Sequence, residues 1–272
     1  MNTRTHQGTA LVTGASSGIG AVYADRLARA GYDLILVARR AEKLRELART
    51  ITTRSGRSVE TIAADLTDAD DLARVEGVLR TDASITLLVN NAGVGATAPL
   101  LQSNVADMEQ MIALNVKVLT RLAYAAAPAF VARGTGTIIN IASIVALAPE
   151  LLNGVYGGSK AYVLALSQSL QHELADKGVR VQVVLPGATE TDFWNVAGLP
   201  VSHLPPEIVM PVDALVDAAL AGLAQGEIVT IPALAELDDW TAFENARKAL
   251  SPQLSRSVPA LRYLEAESMA DG

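Results

Sequence analysis

The stretch Thr13-Gly14-Ala15-Ser16-Ser17-Gly18-Ile19-Gly20 decides the fold. A short apolar run, 10–13, leads into it, and a segment with helical spacing, 18–30, leads out. Glycine at the end of a first strand lets the backbone turn tightly. It also lets the chain approach a pyrophosphate with no Cβ in the way. The amides that open the next helix then point at the phosphates, and the Ser16 and Ser17 hydroxyls add donors. The spacing is Gly-x-x-x-Gly-x-Gly, not the commoner Gly-x-Gly-x-x-Gly. Taken alone, the same turn also serves as a structural bend with no ligand.

Outward from this turn two signals alternate. Aliphatic and β-branched runs at 10–13, 34–38, 59–64, 87–90, 137–141, 179–185 and 228–231 read as strands. Segments at 18–30, 41–55, 68–80, 105–133, 155–177 and 212–225 carry helical spacing. The strand runs are apolar throughout, the pattern of strands covered by helices on both faces. The alternation predicts one α/β domain, a doubly wound parallel seven-stranded sheet with helices on both faces. Thr67, Asp68 and Asp70 suit a helix start, and Gly31, Gly56, Gly134 and Gly178 suit helix ends. A proline-punctuated loop at about 189–211 is long enough to be a lid or binding loop. The reading puts the domain at 1–250 and a C-terminal tail at 251–272.

Composition narrows the function classes. Of 272 residues, 50% are hydrophobic and only 4% aromatic, so aliphatic side chains fill a sizeable core. The net charge of −7 argues against a nucleic-acid backbone as partner. With no cysteine, disulfides, thiolate zinc sites and cysteine nucleophiles are excluded, which fits a reducing, cytoplasmic setting. His6, His172 and His203 are scattered, so no metal site is expected. The first ten residues lack an apolar signal core. The apolar run 123–131 is short and bracketed by Arg121 and Arg133, so no membrane partner is expected.

The motifs after the turn keep a recognisable order. Asn90-Asn91-Ala92-Gly93 follows the fourth strand, and Asn115 lies in the next helix. Ser143 closes the fifth strand, Tyr156-x-x-x-Lys160 opens the helix after it, and Pro186-Gly187 with Thr191 follows the sixth strand. Together with TGASSGIG this series resembles the short-chain dehydrogenase/reductase family over roughly 9–191. The resemblance implies a single-domain Rossmann-like fold and an oxidoreductase that moves hydride between a nicotinamide cofactor and a carbonyl or secondary alcohol. A dinucleotide-binding sensor or scaffold without turnover is the alternative. The intact Ser143, Tyr156 and Lys160 set argues against it.

Tyr156 and Lys160 are four apart, so a helix puts both on one face. A nearby ammonium is expected to lower the phenol's pKa, so that it trades a proton with the substrate oxygen. The resemblance assigns substrate binding to Ser143, a water-positioning role to Asn115, and nicotinamide-ribose binding to Tyr156 and Lys160. It gives the phosphates to Gly14, Ser16, Ser17, Gly18, Ile19 and Gly20, and the adenine to Asp65 and Leu66. Asn90, Asn91, Ala92 and Gly93 also face the cofactor by resemblance, and Pro186, Gly187, Thr189 and Thr191 grip the carboxamide. An NAD site usually ends its second strand on a carboxylate. Here Ala38 stands there, followed by Arg39 and Arg40. NADP(H) is therefore favoured over NAD(H), with Arg39 first and Arg40 second as phosphate ligand. Ser17 departs from the basic residue that many NADP-preferring relatives carry at that slot.

Val94, Val145, Leu147, Leu151, Asn153, Ala188, Phe193 and Trp194 are the candidate pocket lining, by their positions beside Ser143, Tyr156 and the long loop. Most are apolar, which suits a small hydrophobic carbonyl or alcohol substrate. A homodimer or homotetramer is implied by resemblance. Ala123, Ala125, Ala126, Ala127, Ala161 and Ala165 are the candidate contact residues, although they equally suit a buried helix.

Overall fold

The computed structural model describes residues 6–264. Seven parallel strands, β1 (Thr9–Thr13), β2 (Asp33–Ala38), β3 (Val59–Ala63), β4 (Ile85–Asn90), β5 (Gly136–Ile141), β6 (Val179–Val184) and β7 (Val229–Thr230), form one sheet in the order β3-β2-β1-β4-β5-β6-β7. Each strand sends alternate side chains to opposite faces. Ala10, Val12, Leu34 and Leu36 meet Tyr23 and Leu27 of α1 (Gly18–Ala30), Leu44 of α2 (Ala41–Ser55) and Leu215 of α8 (Val212–Gln225). Leu11, Ile35, Leu88 and Ile138 meet Leu72 and Leu79 of α3 (Ala69–Thr81), Phe130 of α5 (Leu119–Arg133) and Leu170 of α6 (Gly154–Leu174). This two-faced core is why the strand runs are apolar without alternation. β3 is the exception: it is an edge strand, and Glu60, Thr61 and Ala63 are exposed.

The four expected glycine caps all adopt the left-handed conformation, and Asp68 caps α3 by accepting from the Asp70 and Asp71 amides at 3.0 Å. The helix expected at 105–133 is interrupted. α4 (Val105–Ile112) passes into a π-helical stretch, Ala113–Val118, before α5 begins. Its alanines serve the sheet: Ala123, Ala125 and Ala126 are buried in the core and Ala127 packs against it. Ala161 is half-buried and Ala165 is exposed.

The loop at 189–211 is not featureless. It carries α7 (Phe193–Ala197) and is closed at its base, where Met210 N donates to Ala188 O at 2.9 Å and Glu190 N to Met210 O at 3.0 Å. The chain divides into two compact units at Pro232/Ala233. The second contains α9 (Leu237–Leu250), which the sequence reading places in the first domain. In α9 the Trp240 and Phe243 rings lie 5.4 Å apart. No helix among the described residues is long and apolar enough to cross a membrane.

Candidate active site

The strand order reverses between β1 and β4, and crossovers leaving in opposite directions open a crevice at the carboxyl ends of these strands. The glycine turn sits there. Gly14 has φ +64°, and a Cβ on it would stand 2.7 Å from Asn91 Nδ2 and 2.9 Å from Ala92 Cα. On Gly20 a Cβ would stand 2.5 Å from the Gly14 carbonyl. These glycines are required by contact with the chain leaving β4. Asn91 Nδ2 donates to the carbonyls of Thr13 at 2.9 Å and Gly14 at 3.2 Å. Thr13 Oγ1 accepts from the Asn91 and Ala92 amides, both at 3.0 Å. Asn90 is buried and donates to Asn140, which donates to Ser167. The side chains of Asn90 and Asn91 therefore hold the floor of the crevice.

Gly18 differs. At φ +55°, its nearest neighbour on the Cβ side is Thr191 Cγ2 at 3.3 Å, so the loop after β6 reaches over the turn. Ser17, at the N-terminus of α1, makes no side-chain capping bond, and the first turn holds no acidic residue. Amide donors without a carboxylate nearby suit a phosphate. Arg40 Nη2 donates to Ser16 Oγ at 3.2 Å and Ser17 Oγ at 3.1 Å, which adds a cation to the turn. Arg39 lies on the Asp65 side. The Asp65 carboxyl is held below its usual range by the Thr67 hydroxyl, then the Thr67 amide, with Arg39 contributing. A bare glycine cradle, uncapped amides and a guanidinium together fit the phosphates of a dinucleotide.

Across the crevice, Ser143 follows β5 and Tyr156 lies in the first turn of α6. Asn153 caps that helix, its Oδ1 accepting from the amides of Val155 at 2.9 Å and Tyr156 at 3.3 Å. The Ser143 hydroxyl lies near the Tyr156 phenol, donates to Pro186 O at 3.4 Å and accepts from Val145 N at 3.4 Å. Lys160, one turn on, donates from Nζ to the Ile141 carbonyl at 2.9 Å. Burial pushes the Tyr156 phenol up to about 12, opposed by the nearby Ser143 hydroxyl, and pulls Lys160 down to about 8. This corrects the expectation that the ammonium lowers the phenol. Within the protein alone, desolvation is the larger effect.

Asn115 lies in the π-helical stretch. Its Nδ2 donates to Val94 O at 2.8 Å and Ser159 Oγ at 3.1 Å, and its Oδ1 accepts from Val94 N at 3.0 Å. The side chain thus clamps the segment after β4. A Cβ on Gly93 would lie 3.0 Å from Asn115 Oδ1 and 3.5 Å from Lys160 Nζ, so Gly93 lets that segment pass between them.

Residues 8–198 match the family model described as short chain dehydrogenase. The chain belongs to the short-chain dehydrogenase/reductase family. A short-chain dehydrogenase of Sphingobium yanoikuyae, solved in complex with NADPH, is 49% identical with a TM-score of 0.90, covering 93% of this chain and 98% of its own. The bulky-bulky ketone specific alcohol dehydrogenase of Comamonas testosteroni is 44% identical with a TM-score of 0.88, covering 96% and 100%. Serine 3-dehydrogenase of Agrobacterium fabrum is 37% identical over 191 residues, 70% of this chain and 75% of its own.

As a short-chain dehydrogenase/reductase the protein is an oxidoreductase of the hydride-transfer class, and its fold brings Ser143, Tyr156 and Lys160 together opposite the glycine turn. Around the phenol, Val94, Val145 and Phe193 pack together with Met108, Met111, Ala96 and Leu152. The sequence reading missed the two methionines. Their signal was helical spacing, since Met111 and Met108 precede Asn115 by four and seven residues. The other candidate lining residues sit in different surroundings. Leu151 is 58% exposed and Leu147 38% exposed, on turns that face solvent. Asn153 has its polar atoms engaged: besides capping, Nδ2 donates to Ala98 O at 2.7 Å and Ser103 Oγ at 3.0 Å. Trp194 is buried and donates to Thr189 O at 3.0 Å, so it backs the wall of the pocket. Gly157 admits Pro149, whose Cβ would be 3.0 Å from an added Cβ.

Proposed function

We propose that this protein is an NADP(H)-dependent carbonyl reductase or alcohol dehydrogenase acting on small hydrophobic ketones, aldehydes or secondary alcohols. The observation that carries the reading is the Tyr156 hydroxyl, beside Ser143 and backed by Lys160, in an apolar recess opposite an anion cradle. The bound dinucleotide supplies or accepts hydride. Ser143 and Tyr156 hold the substrate oxygen, and Tyr156 gives it a proton in reduction or takes one in oxidation. The raised phenol pKa keeps Tyr156 protonated near neutrality, the form reduction needs. Lys160 carries positive charge towards the ribose and the phenol. Asn115 is a positioning residue that holds Val94 and Ser159 in place.

Preference for NADP(H) is supported by Ala38 in the place of an acid, by Arg40 on the serine pair and by Arg39 on the Asp65 side. The NADPH held by the Sphingobium relative supports the same choice, and the ketone-specific Comamonas relative supports the substrate class. A cytoplasmic homo-oligomer remains part of the proposal. The test is NADPH absorbance over a panel of ketones and alcohols, beside fluorescence titration with NADPH and NADH. Turnover of apolar ketones with tighter NADPH binding is expected. Binding without turnover on any ketone, aldehyde or alcohol would leave a sensor, and flat titrations with both cofactors would end the reading.

A further inference from the structure

Phe193 opens α7 and turns its ring towards the catalytic phenol. Its centroid is 5.7 Å from that of Tyr156, with planes tilted by 41°. It is 5.6 Å from Trp194, with planes perpendicular. Trp194 is fixed by burial and by its bond to Thr189 O. The Phe193 ring also meets Gly95. A Cβ built there would lie 2.2 Å from Phe193 Cζ, 2.7 Å from Cε2 and 3.3 Å from Cε1. Gly95 is not among the glycines with positive φ, so its backbone conformation is open to any residue. What the fold uses at this position is the missing Cβ.

The two segments cannot easily move apart. Thr97, two residues beyond Gly95, donates from its amide at 3.2 Å and its hydroxyl at 2.8 Å to the Ala197 carbonyl at the end of α7. The base of the loop is pinned by the Met210 bonds to Ala188 and Glu190. With the backbone tied on both sides, a side chain at 95 would displace the ring, which packs on both Tyr156 and Trp194, and so reshape the space beside the phenol.

We propose that Gly95 is a specificity-determining residue. It provides the slot that stores the Phe193 ring, and so sets the width of the pocket available to the bulkier substituent of a ketone. The proposal rests on the functional reading above and refines the substrate class of that same site: apolar ketones whose larger substituent lies beside the Phe193 ring. Gly95 acts on the substrate only through Phe193, so it makes no contact with the reacting atoms.

The test compares kcat/KM for a ketone with a ring on both sides and for the methyl ketone of the same ring. Wild type, Gly95→Ala, Phe193→Ala and the double variant are measured with saturating NADPH. Gly95→Ala is expected to lower the two-ring/methyl ratio by about tenfold, the scale of a methylene-sized change in a pocket. Phe193→Ala is expected to raise that ratio, and the double variant to match Phe193→Ala, because the slot matters only while the ring is there. Equal losses on both ketones, or a Gly95→Ala effect that persists without Phe193, overturn the proposal. If Gly95→Ala does not fold, an unchanged ratio in Phe193→Ala still overturns it. A wild type that binds NADPH and turns over no ketone, aldehyde or alcohol of the panel overturns the functional reading and the proposal with it; one that turns over other members of the panel but neither of these two ketones overturns the proposal alone. A wild type that reduces both, with ratios unmoved by the substitutions, overturns the proposal alone.

Discussion

Lys160 holds its Nζ 5.8 Å from the centroid of the Tyr156 ring and gives a hydrogen bond to the Ile141 carbonyl instead of to the phenol oxygen. The two groups are buried together, and burial displaces them in opposite senses: the phenol up to about 12, the ammonium down to about 8. Near neutrality both keep their protons. That state suits donation to a carbonyl oxygen, and the positive charge on a bound oxidised nicotinamide is what brings the phenolate within reach for the reverse direction.

Tyr156→Phe keeps the ring against Phe193 and removes only the hydroxyl. A positioned acid–base group contributes about 10²- to 10⁴-fold to rate, so turnover is expected to fall by at least a hundredfold. NADPH affinity, read by fluorescence, is expected to stay close to wild type. Retained turnover would remove Tyr156 from the mechanism.

The cofactor preference tests two arginines separately. Arg40 touches the serine pair of the turn, whereas Arg39 faces Asp65. Hydrogen bonds to charged groups contribute about 1.5–3 kcal/mol, so Arg40→Asp and Arg39→Asp are each expected to shift the NADPH/NADH affinity ratio by about tenfold or more towards NADH. An unchanged ratio in both variants would place the extra phosphate elsewhere.

Asn153→Ala should show how far the cap supports the chemistry. Losing an N-cap costs about 0.5–2 kcal/mol, and here the bonds to Ala98 and Ser103 go as well. A lower denaturation midpoint is expected together with a lower kcat, because the Tyr156 amide is one of the capped groups. Asn153→Asp keeps the acceptor and should recover most of the stability. A midpoint unchanged in Asn153→Ala would show that the cap is dispensable.

The sheet was legible because both its faces are covered. Leu34 and Leu36 go one way and Ile35 and Val37 the other, so the run reads as unbroken apolar sequence. The edge strand β3 was read as buried because sequence does not reveal which strand lies outermost. Ser143, Tyr156 and Lys160 were legible from motif order. The pocket was less so, since distance along the chain does not say where a side chain points. Leu151 is near Tyr156 in sequence and faces solvent, whereas Met111 is far in sequence and packs on it. Asn91 and Asn153 have side chains that suit ligands, and the protein backbone takes their hydrogen bonds first. The π-helical stretch at Asn115 left no periodicity that distinguishes it from an ordinary helix.

Lys160 makes the sharpest pH prediction. Burial lowers it from 10.5 to about 8 in the free protein. The charged form favours an anionic dinucleotide, so NADPH affinity should be greatest below pH 8 and decline as pH rises through that value. Stability of the ligand-free protein should run the other way. Between 8 and 10.5 the unfolded chain holds a proton that the folded chain has lost, so the free energy of unfolding rises with pH across that window. Lys160→Met removes the titrating group. Its NADPH affinity should be weaker and lack the inflection near pH 8, and its stability should lack the Lys160-dependent rise. Calorimetric titration and denaturant unfolding at matched pH give both readouts. A wild-type affinity that is level through pH 8, or an inflection that survives in Lys160→Met, would show that the proton governing cofactor binding sits on another group.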